Sequence, residues 1–208
     1  MFLIFLKYIK PLSEVDQFFP SHVEFLKKCY GEGVFIFSGP QVPRVGGLIL
    51  ANSNSLDALW NLIKEDPFYT NEIADFTVIE FIPRMHDDRF AWFVDKEECT
   101  SKQFFIDDEK KMFIVDLKYV EPLDQVDALL PAHVEFLKDC YSRREFICSG
   151  PKHPRTGGVI LANGSSLEAV WDLIRTDPFY VYDVAEFTVT EFKPRMHDSR
   201  FSCFMTDR

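Results

Sequence analysis

Pro20-Ser21-His22-Val23-Glu24-Phe25-Leu26-Lys27 returns later in the chain as Pro131-Ala132-His133-Val134-Glu135-Phe136-Leu137-Lys138. The shift is 111 positions (133 minus 22), and without a gap it aligns Leu6 to Phe93 with Leu117 to Phe204. Over Leu6 to Phe90, roughly fifty of the eighty-five positions are identical, far above chance, and such an internal repeat governs every later assignment. The chain is one domain written twice. A first module spans residues 1–94, a linker 95–112 and a second module 113–208. Each module is about ninety residues, near the small end of independently stable domains.

A hydrophobic content of 47% with 22 Phe supplies enough apolar surface for a real core. The formal net charge of −10 argues against nucleic acid as a partner, because neutralising phosphates takes clustered Lys and Arg. The five cysteines form no C-x-x-C pair, and their number is odd. That usage suggests a reduced, cytoplasmic protein without a structural zinc site. Cys29 and Cys140 are repeat equivalents and read as buried apolar thiols. The apolar start, Phe2 to Leu6, lacks the basic flank and cleavage site of a signal peptide, and its continuation recurs internally at Leu117 to Leu123. No apolar run is long enough to span a bilayer as a helix, so no membrane partner is expected.

Within the first module, Leu3 to Ile9 is a β-rich run that Pro11 ends. Ser13 to Phe19 suggests no more than a helical turn, because Pro20 interrupts a longer helix. A helix is predicted from Ser21 to Tyr30, with Val23, Leu26 and Tyr30 on one side and Gly31 and Gly33 as stop signals. Val34 to Phe37 reads as a second strand, broken by Ser38-Gly39-Pro40. Gly46-Gly47 opens a third, Leu48 to Asn52. Ser55 caps a predicted helix from Leu56 to Glu65, which Asp66-Pro67 ends. Phe76 to Phe81 alternates as a fourth strand. The second module repeats this: strands at Ile114 to Val120, Glu145 to Cys148, Gly158 to Asn163 and Phe187 to Phe192, helices at Ala132 to Tyr141 and Leu167 to Arg175. The intervening segment is charged like a linker, although Phe104-Phe105-Ile106 has the composition to dock on a surface.

Strand, helix, strand, strand, helix, strand is the split βαβ order of an α+β, ferredoxin-like sandwich, with one antiparallel sheet and both helices on one face. Phe and Leu occupy both sides of several strands, so the second sheet face also needs cover. The economical solution is two modules packed sheet to sheet as a pseudo-dimeric α/β barrel.

Each module resembles the YCII-related family of dimeric α/β-barrel proteins. The resemblance is carried by Pro20, His22, Phe25 and Leu26, then Ser38 to Pro40, Gly46-Gly47, Ser55-Leu56 and Asp66 to Phe68, in that order and twice over. Single-module members of that family pair as homodimers. Two halves in one chain therefore imply an intrachain pseudo-dimer, with further association of whole chains left open. The resemblance also implies a catalytic histidine with a nearby aspartate. Related barrels include isomerases, dehydrohalogenases and cofactor-free oxygenases acting on small phenolic or lactone compounds, though fold alone does not fix function.

The candidate residues recur in pairs. His22 and His133 follow Pro, in what the predicted boundaries make the first helical turn. There the positive helix end favours neutral imidazole, suited to a general base; the competing reading is a histidine that only orders the helix start. Asp66 and Asp177 are candidate carboxylate partners that orient it, or simply helix-ending Asp-Pro turns. Ser38 and Ser149, with the N–H groups near Gly39 and Gly150, are candidates for binding substrate or an oxyanion; a plain strand-end turn is the alternative. Arg44 and Arg155 have the charge to hold a carboxylate or phenolate, or to sit solvated in a loop. Arg84-Met85-His86-Asp87 and Arg195-Met196-His197-Asp198 carry too few ligands for a metal site and read better as tails that cross to the other module. His153, without a repeat equivalent, reads as a loop residue.

No phosphate-binding glycine loop, nucleophile elbow or H-E-x-x-H is present, and no cofactor is called for. The expectation is a small-molecule lyase or isomerase acting on a phenolic, lactone or keto-acid compound. The rival is a non-catalytic ligand-binding or structural barrel. The two part at the histidines: an enzyme needs each imidazole to open onto a concave pocket with a carboxylate or hydroxyl in reach.

Overall fold

The computed structural model describes residues 1–94, the backbone of 103–105, and 111–205. The first repeat contributes β1 (Phe2–Tyr8), α1 (Leu12–Gly31), β2 (Phe35–Pro40), β3 (Gly46–Ala51), α2 (Leu56–Ile63), α3 (Pro67–Thr70) and β4 (Ala74–Glu80). Its tail adds a short strand, β5 (Met85–His86), and a 3-10 turn, Asp88–Phe93. A three-residue strand, β6 (Gln103–Phe105), precedes the second repeat. That repeat runs β7 (Met112–Tyr119), α4 (Leu123–Ser142), β8 (Phe146–Pro151), β9 (Gly157–Asn163), α5 (Leu167–Ile174), α6 (Pro178–Val181) and β10 (Ala185–Phe192). Its tail holds β11 (Met196–Asp198) and the 3-10 turn Ser199–Phe204.

Two antiparallel sheets result, ordered β4-β1-β3-β2-β11-β6 and β10-β7-β9-β8-β5. In each, the first four strands follow the ferredoxin-like order, so the α+β expectation holds for both repeats. The chain divides into two compact units whose boundaries differ from the predicted module ends. The first unit takes Met1–Glu80 and the second repeat's tail from Lys193; the second takes 111–192 and the first repeat's tail, 81–94. The repeats thus exchange their C-terminal tails. Tail strand β11 pairs with β2 through Met196↔Ser38 and His197↔Phe37, and β5 pairs with β8 through Met85↔Ser149 and His86↔Cys148.

The linker expectation is corrected in part. Gln103–Phe105 pairs with β11 as the edge strand of the first sheet, and Met112 already belongs to β7. The rest of the expected linker, including Ile106, lies outside the described residues.

The main helix is also longer than expected. α1 runs unbroken from Leu12 to Gly31 with Pro20 inside it, and α4 likewise contains Pro131. Val15, His22, Leu26 and Cys29 are buried at spacings of 7, 4 and 3, a single helical stripe that carries through the proline. Pro20 and Pro131 stand on the exposed face, so the carbonyl each leaves without an intrahelical donor can be hydrated. Burial of the stripe outweighs the lost hydrogen bond.

Ser38-Gly39-Pro40 does not break β2; it continues it. The glycine serves a close approach instead. A Cβ on Gly39 would run into the Lys193 carbonyl, and one on Gly150 into the Ile82 carbonyl, where each tail passes. Ser55 caps α2 as predicted, its side chain accepting from Ala58 N–H. On the helix side of the first sheet, Phe2, Ile4 and Leu6 pack with Leu26, Leu59 and Phe68. Leu3 and Leu50 are buried as well, so both faces of the strands are removed from water.

Candidate functional site

His22 lies in the third turn of α1, ten residues past Leu12 (22 minus 12), not in a first turn. The helix-end argument for a neutral imidazole therefore falls away, since such an effect fades within the first turn. A different contact fixes the ring. His22 Nδ1 is 2.8 Å from Asp66 Oδ1, and both side chains are buried. The same Oδ1 accepts the Phe68 N–H at 2.9 Å, capping α3. A carboxylate oxygen that already accepts an amide proton takes the imidazole proton from Nδ1 as well. That assigns Nε2 as the unprotonated nitrogen of the neutral ring. The imidazole is further clamped by Phe68, whose ring lies parallel at a centroid distance of 4.0 Å.

The second unit repeats the arrangement. His133 Nδ1 is 2.8 Å from Asp177 Oδ1, which accepts the Phe179 N–H at 2.9 Å, and the Phe179 ring lies 4.0 Å from the imidazole. Asp66 and Asp177 are thus both the turn-forming caps and the orienting carboxylates; the two sequence readings describe one atom. Asp66 Oδ2 and Asp177 Oδ2 are buried without a hydrogen-bond partner among the described residues.

Each histidine borders a cavity. The first, about 580 Å³, is lined by His22, Ser38, Arg44 and Phe68 among mostly apolar walls, and by Arg195 and Met196 from the exchanged tail. The second, about 300 Å³, is lined by His133, Ser149, Arg155 and Phe179, with Arg84 and Met85 from the other tail. Because Nδ1 is held by the aspartate, Nε2 is the ring nitrogen left to the cavity. The volumes fall within the range of small-molecule pockets, about 300–1,000 Å³.

Ser38 is only 3% exposed and sits against Tyr30, whose hydroxyl is 2.9 Å from Ser38 Oγ and donates to the Met196 carbonyl at 2.8 Å. A carbonyl can only accept, so it takes the single phenol proton. Ser38 must then donate its own proton to Tyr30, which leaves its oxygen only acceptor lone pairs to offer the cavity. Tyr141, Ser149 and the Met85 carbonyl repeat this chain, with both contacts at 2.8 Å. Burial pushes the Tyr30 phenol well above its ordinary range, against the smaller opposing effect of Ser38, so it stays protonated.

Arg44 borders the cavity but is not free in it. It pairs with Asp16 at 2.5 Å and lies over the Phe19 ring, 5.9 Å from its centroid. Arg155 pairs with Asp127 in the same way. Arg195, by contrast, has no ion-pair partner among the described residues. The sequence reading placed the arginine-bearing tails across the chain but did not assign Arg84 and Arg195 to the cavities, nor Tyr30 and Tyr141 behind the serines. Their retention in both repeats was the available signal.

The rest of the tail motif is structural. Asp87 caps its 3-10 turn and forks with Arg89, and Asp198 does so with Arg200. His197 is buried, with Nδ1 2.6 Å from the Asp198 carbonyl. Among the described residues no three His, Cys, Asp or Glu side chains are grouped to hold a metal ion. His153 is an exposed loop residue. Among the described residues no helix is long and apolar enough to cross a membrane.

The model of the YCII-related domain matches residues 1–82 and again 112–193. This chain belongs to the YCII-related domain family. The two matched segments stop at the start of each tail, so the arginine, methionine and carbonyl that complete each cavity of this tandem YCII-related protein come largely from beyond them. Its fold is similar to those of several solved structures. A protein named as a candidate monooxygenase from Fusobacterium nucleatum superposes with a TM-score of 0.56 at 10% identity, covering 95% of this chain and 94% of that one. Another so named, from Lactobacillus acidophilus, gives a TM-score of 0.53 at 12% identity over 93% and 92%. An anthrone oxidase-like protein gives 0.50 at 13% identity over 95% and 92%. At these identities the likeness is one of fold. No functionally curated protein matches the sequence.

Proposed function

We propose that each unit binds a small organic anion and moves a proton on it, as a lyase or isomerase acting on a phenolic, lactone or keto-acid compound. The observation that carries this reading is the doubly tethered imidazole. Nδ1 is committed to a buried carboxylate and the ring is stacked on Phe, while Nε2 is left to a largely apolar cavity edged by arginine. His22 or His133 Nε2 would take a proton from a carbon beside a carbonyl, or from a phenol. Asp66 or Asp177 would stabilise the imidazolium formed, and Arg195 or Arg84 the enolate or phenolate. Return of the proton at another atom gives an isomer; loss of a leaving group from the enolate gives a lyase product.

The four described cysteines form no disulfide, and burial pushes the Cys29 and Cys140 thiols up to about 12. Buried thiols held protonated in this way suit a reducing cytoplasmic setting.

The test uses His22→Asn and His133→Asn, in which the amide nitrogen can still donate to the aspartate while the cavity-side base is lost. Imidazole resonances are followed by NMR during titration with phenols, lactones and keto acids, and turnover is assayed for any compound that binds. Shifts at both histidines, with turnover abolished in the folded double variant, support the reading. Binding with no turnover of any bound compound points instead to a ligand-binding barrel. No response at either histidine sinks both.

A further inference from the structure

The two cavities carry the same residues at equivalent positions of their shared lining, with two exchanges. Phe19 in the first stands against Leu130 in the second, and Leu48 against Val159. The larger side chains line the larger space: about 580 Å³ against about 300 Å³. The difference therefore does not come from trimming the walls. Phe19 is 45% exposed, so its ring prolongs the wall outward, and Arg44, anchored on Asp16, lies over it. Asp16 itself reaches the lining of the first cavity, whereas its equivalent Asp127 does not reach that of the second. A wall that extends farther encloses more volume and gives a planar ligand a longer apolar face.

The same residues restrict the ligand's chemistry. Arg195, with no ion-pair partner among the described residues, offers its cation to a carboxylate. Ser38, its proton committed to Tyr30, can only accept from the cavity, so the ligand group beside it must be a donor such as a hydroxyl. Phe19, Leu26, Ile49 and Phe68 supply apolar and aromatic surface for a ring. Resting on the reading that these cavities hold small anions, the geometry points to two sites of unequal reach: the first takes a hydroxylated aromatic carboxylate of two fused rings, and the second accepts a single ring.

The probes are salicylate and 1-hydroxy-2-naphthoate, titrated into the full chain while the His22 and His133 Cε1–H resonances are followed separately. The naphthoate should bind at His22 about tenfold more tightly than at His133, the scale on which hydrophobic pockets discriminate by size. Salicylate should differ between the sites by less than about threefold. Phe19→Leu with Leu48→Val should erase the naphthoate preference, and Leu130→Phe with Val159→Leu should raise naphthoate affinity at His133. Equal naphthoate affinity at both histidines, or a preference that survives the exchange, overturns unequal reach and leaves the anion-site reading standing. Silence of both resonances toward both probes overturns that reading itself, and the inference with it.

Discussion

Asp66 shows how much rests on a single oxygen. Oδ1 receives both the Phe68 N–H and the His22 ring proton, so its removal opens the α3 cap and strands a buried imidazole donor at once. Asp66→Ala is expected to destabilise the first unit by roughly 2–4 kcal/mol, the sum of a lost cap and an unsatisfied buried donor, measurable by urea unfolding. Asp66→Asn keeps an oxygen for both donors but removes the charge that favours imidazolium. Its amide nitrogen would stand where the buried Oδ2 has no partner, so it should cost about 1–3 kcal/mol in urea unfolding while also losing turnover on any identified substrate. His197 gives a residue-scale prediction of another kind. Burial holds its pKa below the ordinary value, so the unfolded chain binds a proton there before the folded one does. Stability is complete above about pH 6.5 and falls as the pH drops from there towards the depressed folded value. The urea midpoint should fall between pH 7.5 and pH 5.5, and His197→Gln should lessen that fall.

At the scale of elements, the long helices decide where the histidines sit. A proline in a helix interior costs about 3 kcal/mol relative to alanine, partly offset by about 0.4–1 kcal/mol through the stiffer unfolded chain. Pro20→Ala should therefore stabilise the protein by about 2 kcal/mol, read as a higher urea midpoint at an unchanged slope. A lowered midpoint would mean that Pro20 itself is needed for the stripe from Val15 to Cys29 to pack. The proline also explains why the helix start was misplaced. Local propensity favours a new helix after Pro20, and nothing in a short window reports that Val15, five residues earlier, lies buried on the same stripe as His22. Strand β2 was cut short for a similar reason. Gly39-Pro40 has the composition of a turn, but glycine is required there by a passing backbone distant in sequence.

At the scale of the whole molecule, the exchange of tails makes each unit depend on both repeats. Tyr30 donates to the carbonyl of Met196, 166 positions away, and Tyr141 to that of Met85. Gly39→Ala puts a Cβ against the Lys193 carbonyl and should destabilise the first unit by at least about 1–3 kcal/mol, the usual range for overpacking. The second unit, with Gly150 intact, is the internal control: ligand response should be lost at His22 and kept at His133. Equal loss at both histidines would show that the units do not respond separately.

The repeat, the four-strand order of each module, the α2 cap and the paired His, Asp, Ser and Arg candidates were all legible in the sequence, because each rests on short-range pattern or on its recurrence after 111 positions. Tertiary structure alone decided which nitrogen of His22 meets Asp66, that one aspartate serves as both cap and partner, and that Arg195 and Met196 complete a cavity begun by the other repeat. Those facts depend on groups brought together from distant parts of the chain, and side-chain periodicity carries no record of them.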